Sequence, residues 1–352
     1  MNPASSKLDR ERWRAQIVEP VLEPERRIVD AHHHVWPECP VPGMESYPVE
    51  TLLADMTEAG HEVVASVFVE GFARWRIDGP EHLRPVGETE YACSLAVDAA
   101  QRARRPALHA AIVGYADLMR GAAVEDILEA HLAAAPTRFR GVRCLVAHDS
   151  DYPGTLPTRP RMLGEPAFRA GFAKLKDYGL SFDVWVMHPQ LGDVYELARD
   201  NPDTTVVIDH VGGPMRVGRY ASGDRGFAEW REGLARVAEL PNTVVKLGGL
   251  NMPCTGLAVS MEADRPWSSE QMADVQGPYL HAAIDLFGPG RCMFESNFPV
   301  DRMLTAARPL WNCFKRVAVR YSPSEREALF AGTAARIYHL DIRDHGTQPP
   351  SC

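Results

Sequence analysis

The chain has 352 residues, 45% hydrophobic and 24% charged, which is the balance of a folded protein with a sizeable core and excludes disorder for most of its length. A formal net charge of −9 argues against a surface for nucleic acid or anionic membrane, which needs clustered lysine and arginine, and leaves a small molecule as the expected partner. With no apolar run of spanning length and no basic-then-apolar leader, the expected address is the cytoplasm, and seven cysteines without a C-x-x-C pair suggest neither a zinc ribbon nor a disulfide framework.

Residues 1–26 are charged and punctuated by proline, and read as an arm ahead of the first strand. From there, apolar β-rich runs alternate with helical patterns. Strands are expected at Arg27–His34, Val63–Gly71, Leu108–Leu118, Phe139–Val146, Leu180–Met187, Thr204–His210, Asn242–Leu250 and Arg291–Pro299. Runs such as VVASVFV and TVVIDH are near-continuously apolar, as strands covered on both faces are. Helices are expected at Val49–Ala59, Gly87–Ala103, Val124–Ala134, Glu165–Tyr178, Leu191–Arg199, Gly226–Glu239, Pro278–Phe287 and Leu304–Val319. A last helix over Ser324–His339 precedes a polar tail, residues 343–352.

Strict strand–helix alternation with right-handed crossovers predicts an α/β fold, a (β/α)8 TIM barrel over residues 27–342. An open doubly wound sheet is the alternative, but no G-x-G-x-x-G follows the first strand. Connections after the helices are short. Those after the strands are long, at Phe72–Val86, His148–Gly164, Gly212–Arg225 and Asn251–Gln276, which places function at the strand C-termini. Whether the barrel is a monomer or a homodimer is left open by the pattern.

Asp30 to His34 end the first expected strand and form the expected floor of the site. His32 and His34 stand two apart, so both side chains share one face while His33 points away, and such a pair can bind a divalent metal such as zinc. His188 follows the apolar FDVWVM, and His210 closes VVIDH. Histidine is a poor filler of apolar interiors, so the four together point to a metal or a substrate. Glu70 and Asp117 are candidate bases at the ends of the second and third strands, with a structural partner for Arg143 or Lys246 as the competing reading. Arg143, Arg74 and Arg76 are candidate clamps for a substrate carboxylate, although Arg74 and Arg76 also read as solvated loop residues. Lys246, if it faces the lumen, needs either Glu295 or substrate as its partner. Trp36, Trp75, Tyr152 and Trp185 are candidate pocket walls or packing residues.

The D-x-H-x-H opening, FRGVR with Arg143, VMHPQ with His188, DHVGGP with His210, VKLGGL, FESNFPVD and GTAARIY together resemble the amidohydrolase superfamily. More narrowly they are similar to its lactonase branch, which includes 2-pyrone-4,6-dicarboxylate lactonase and L-fuconolactonase, from about Ile28 to Leu340. The resemblance implies a metal-type barrel that hydrolyses a cyclic ester in small-molecule catabolism, with His32, His34, His188 and His210 as metal or substrate ligands. It also leaves amide hydrolysis, metal-dependent decarboxylation and a binding-only barrel as alternatives. The family's eighth strand reads G-S-D-x-P, whose aspartate is the proton-transfer base. Here Glu295, Ser296, Asn297, Phe298 and Pro299 stand in that place. An amide neither takes a proton near neutral pH nor neutralises a cation, though Asn297 can still coordinate weakly through its oxygen or orient water, so a weakly held or substoichiometric metal is expected. Glu295 lies on the same strand face about 6 to 7 Å deeper, and takes over the base role only in a site shifted inward.

Overall fold

The computed structural model describes residues 3–39, 44–101, 106–151, 158–222 and 224–342. Eight strands, β1 (Arg27–His33), β2 (Glu62–Val69), β3 (Ala107–Tyr115), β4 (Phe139–Arg143), β5 (Ser181–Val184), β6 (Val206–Ile208), β7 (Thr243–Leu247) and β8 (Cys292–Phe294), pair in parallel in sequence order. The ends meet through a parallel bridge between His33 and Phe298, with His34 N donating to Phe298 O at 2.8 Å. The (β/α)8 barrel is thus as expected. Several strands end earlier than the apolar runs, because their last residues leave the ladder to enter the site.

Helices α1 (Pro3–Arg14), α2 (Val49–Glu58), α3 (Val86–Gln101), α4 (Glu125–Ala134), α5 (Pro166–Phe172), α6 (Leu191–Asp200), α7 (Asp224–Ala238), α8 (Ser269–Phe287) and α9 (Ala307–Ala318) surround it. Beyond them, α10 (Pro323–Glu327) and α11 (Thr333–Ile337) are joined by a π turn. Two boundaries differ from the sequence pattern. The expected helix at 165–178 breaks after Phe172 and continues as a 3₁₀ turn. Helix α8 starts at Ser269, within what reads as loop, because Ser268 and Gln271 form a capping box and Pro278 is accommodated inside the helix. Among the described residues no helix is long and apolar enough to cross a membrane.

Alternation along the strands divides the buried residues in two. Ile28, Phe68, Ile112, Phe182 and Phe294 pack outward against the helices, while Val29, Val67, Val113, Val207, Val244 and Met293 form an inner apolar layer with Tyr338 from the last helical segment. The phase of β1 then changes. A register shift between Asp30 and His33 acts as a bulge, so that after inward Val29 and Ala31 it is His32 that enters the lumen and His33 that stacks outward on His109, 5.2 Å between ring centres. Asp30, expected in the floor, accepts from Ser296 N at 2.8 Å and from Ser296 Oγ at 2.6 Å, tying β1 to the β8 end.

The arm before β1 opens with α1 and lies against the barrel. Trp13 Nε1 donates to Ala263 O at 2.8 Å, and Leu22 N to Asn312 Oδ1 at 2.9 Å. Lys315 on α9, fully buried, donates to Leu22 O, Glu23 O and His61 Nδ1 at 2.7 to 2.8 Å, and burial pulls its ammonium down to about 8. We expect Lys315→Ala to cost about 2 to 3 kcal/mol in urea unfolding, because one buried and two half-buried acceptors lose their donor. It should also open residues 15–26 to limited proteolysis, and an unchanged cleavage pattern would show that the arm is held by other contacts.

Candidate active site

Above the apolar layer the strands supply charge. Lys246 of β7 sits at the centre, its Nζ 2.7 Å from Asp183 Oδ2 of β5, 3.0 Å from Asp209 Oδ1 just beyond β6, and 3.1 Å from His32 Nδ1. Tyr338 Oη reaches Asp183 Oδ2 from below at 2.7 Å. All of these side chains are sealed from solvent. Burial alone would discharge the lysine, but Asp183, Asp209 and Glu295 outweigh it and raise its pKa. From sequence, Glu295 or substrate is the expected partner of Lys246; in the fold its nearest carboxylates are Asp183 and Asp209, neither of them expected. Their signal is an acid at inward parity inside the apolar runs FDVWV and VVIDH.

Arg143, at the end of β4, donates through Nε to Glu70 Oε1 at 2.8 Å and through Nη2 to the Glu70 carbonyl. A substrate carboxylate therefore cannot be clamped by the whole guanidinium. Nη1 remains, 3.4 Å from His32 Nε2 and 3.9 Å from Asp209 Oδ2. Glu70 is correspondingly engaged as the partner of Arg143.

Three of the four histidines come together. His34 donates from Nδ1 to Val69 O at 2.8 Å and stacks on Trp36, which leaves its Nε2 lone pair facing His32 Nε2 at 3.3 Å. His210 donates from Nδ1 to Glu295 Oε1 at 2.7 Å, and its ring lies 4.7 Å from that of His32 and 6.1 Å from Trp185. Burial pushes the Glu295 carboxyl up, yet His210 and His32 beside it hold it at about 2. The same contact outweighs burial at His210 and raises the imidazole above its ordinary value. His188 stands apart: its Nδ1 accepts from Met215 N at 3.2 Å and its ring packs on Tyr220 at 4.5 Å, with no bond or ring contact to the other three among the described residues.

One ligand atom each from His32, His210 and Glu295 lies within 4.8 Å of the others, a spacing that a metal ion can bridge. The His210–Glu295 bond already occupies two of them. The two Nε2 atoms of His32 and His34 have the separation, about 3.3 Å, that ligands 2.0 to 2.1 Å from one tetrahedral zinc ion adopt. His32 Nδ1 accepts from the Lys246 ammonium in this arrangement; in the other tautomer, which frees Nε2 for a metal, Glu295 Oε2 and Asp209 Oδ1, 3.2 and 3.4 Å away, would accept the Nδ1 proton. The four carboxylates of Glu70, Asp183, Asp209 and Glu295 also exceed the two fixed cations Arg143 and Lys246, so the donor set fits a divalent cation.

Glycine makes the His210–Glu295 contact possible. A Cβ on Gly249, which has φ +66°, would fall 2.5 Å from His210 Cγ, and one on Gly248 would fall 2.5 Å from Glu295 Cγ. The other expected residues lie outside this group. Asp117 caps a turn through Met119 N, Arg76 pairs with exposed Glu90, and Arg74 lies 4.0 Å from exposed Glu38. Trp75 packs with Phe72 and Tyr115, and Tyr152 falls outside the described residues.

Barrel, histidine pair and strand-end acids define a barrel hydrolase, and the chain belongs to the amidohydrolase family, whose profile matches residues 29–340. It is 31% identical to the uncharacterized protein y4mH of Sinorhizobium fredii, over 89% of this chain and 98% of the relative. It is also 31% identical to an L-fucono-1,5-lactonase of Burkholderia multivorans, over 72% of this chain and 77% of that protein. A solved amidohydrolase from Burkholderia multivorans with bound zinc superposes with a TM-score of 0.67 at 29% identity, covering 89% of this chain and 99% of its own.

Gly249→Ala should reduce turnover about 100-fold while leaving far-UV circular dichroism unchanged, because the methyl group displaces His210 without touching the ladder. Full activity in this variant would place His210 outside the reacting centre.

Proposed function

We propose that this amidohydrolase hydrolyses a cyclic ester, a lactone of a small oxygenated acid. The observation that carries the reading is the 2.7 Å bond from His210 Nδ1 to Glu295 Oε1, which orients a histidine whose other nitrogen is left to move a proton. The lactonase relatives support the substrate class. Water adds to the ring carbonyl carbon and its proton passes to His210 Nε2. The ring C–O bond then breaks and the leaving oxygen takes that proton back, so that a hydroxy acid is the product.

Arg143 Nη1, aimed by the Glu70 pair, supplies a fixed cationic donor for the developing oxyanion. Glu295 takes the orienting place and not the proton, since its carboxyl is held near 2. His32 and His34 would hold a divalent cation through Nε2, and when bound it supplies Lewis-acid polarisation of the carbonyl and a lowered water pKa. Trp36 and Trp185 flank the histidines and restrict water.

On a panel of sugar and aryl lactones, His210→Ala should lose about 10²- to 10⁴-fold in kcat and Glu295→Gln should lose activity in the same direction. Release of carbon dioxide from an aromatic or enoic acid, with no ring opening across the panel, would falsify the cyclic-ester reading. Elemental analysis of purified protein should find a divalent metal that is lost in His32→Ala and His34→Ala and kept in His188→Ala. Metal retained by His34→Ala would move the ion to His32, His210 and Glu295.

A further inference from the structure

Asn297 occupies the place of the family's aspartate, with its backbone at φ +52°, where asparagine is tolerated better than most residues. Its main-chain N donates to His32 O at 2.9 Å, which seats it beside the histidine pair. Its side chain is 1% exposed, and Oδ1 has no hydrogen-bond partner. A buried amide oxygen left bare costs free energy unless a ligand or water completes it.

The direction of that amide follows from a chain of donors. Gln276 Nε2 donates to Leu257 O at 3.3 Å and to Asn251 Oδ1 at 3.1 Å, so Asn251 must present N–H to Asp301. Asp301 Oδ2 accepts from Asn251 N and Nδ2, both at 3.1 Å, and its Oδ1 accepts from Asn297 Nδ2 at 2.9 Å. Asp301 is sealed from solvent and burial raises its carboxyl to about 7; ionised, it only accepts, so Asn297 turns its nitrogen towards Asp301 and its oxygen away. An aspartate at 297 would place carboxylate against carboxylate at that distance. Asp301 in turn lies near enough to His210 and Glu295 to feel their charge.

We propose that Asn297 Oδ1 holds the hydrolytic water as a neutral acceptor, with Asp301 as the positioning residue that fixes the amide. This rests on the hydrolase reading above. The water is placed by Asn297 and its proton leaves to His210, so the proton transfer that the resemblance assigns to an aspartate at this position passes to another residue here.

The test uses lactones that the wild-type protein opens, in water and in water–methanol mixtures. Asn297→Gly, which tolerates the backbone and removes the acceptor, should lower kcat about 100-fold with KM unchanged and shift product towards the methyl ester. Asn297→Asp alone should also be slow. The double variant Asn297→Asp with Asp301→Asn restores the hydrogen bond in reverse and should recover to within tenfold of wild type. Circular dichroism and melting confirm that each variant folds. A rise in KM with kcat untouched, or a product ratio that does not move, would overturn the assignment. Wild-type protein inert to every lactone sinks the cyclic-ester reading and not this one. In that case the assignment stands on an ordered water bonded to Oδ1 in crystals of wild type and absent from Asn297→Gly, and falls if that water is missing.

Discussion

A lysine ammonium closed inside a parallel barrel must be answered by carboxylates, and Lys246 draws two of them, Asp183 and Asp209, to within 3.0 Å. The rest of the centre is arranged around that contact. Lys246 also reaches His32 Nδ1, so the first histidine is oriented by the same charge that neutralises the acids of β5 and β6. Tyr338 closes the cluster from below through Asp183, which links the last helical segment to the middle of the site. Arg143 repeats the pattern one side round, paired with Glu70 and leaving a single nitrogen towards His32.

The seam of the barrel lies at the same place as the candidate site. Asp30 binds Ser296, Asn297 N binds His32 O, and His34 N binds Phe298 O, so the strand that carries the histidine pair and the loop that carries Glu295 and Asn297 are fastened at three successive points. The bulge in β1 turns His32 inward just before this seam. Across it, Gly248 and Gly249 give His210 and Glu295 the room to meet. Closure of the sheet and assembly of the candidate site are therefore coupled, and a loose seam would separate the histidine pair from Glu295 and Asn297.

The change from aspartate to asparagine at 297 is coherent in this setting. The carboxylate of Glu295, deeper in the strand, sits between His32 and His210, and Asp301 stands behind Asn297 as its hydrogen-bond acceptor. Two carboxylates, Glu295 and Asp301, thus stand around the neutral side chain of Asn297.

Periodicity and composition are enough to read eight strands and the barrel, because burial on both faces writes apolar runs, and loop length points to the end where the polar cluster lies. His32, His34, His210, Arg143, Lys246 and Glu295 were likewise legible, as polar residues at strand ends have no packing reason to be there. Partnership was not legible. That Arg143 belongs to Glu70, that Lys246 belongs to Asp183 and Asp209, and that His188 faces Tyr220 and not the other histidines depend on contacts between residues up to 73 positions apart, while Asn297 leans on Asp301 only four positions on, across a turn that strand alternation does not describe. Alternation along a strand gives the face of each side chain, but which charges meet is decided only when the curvature of the closed barrel brings non-neighbouring strands to hydrogen-bonding distance.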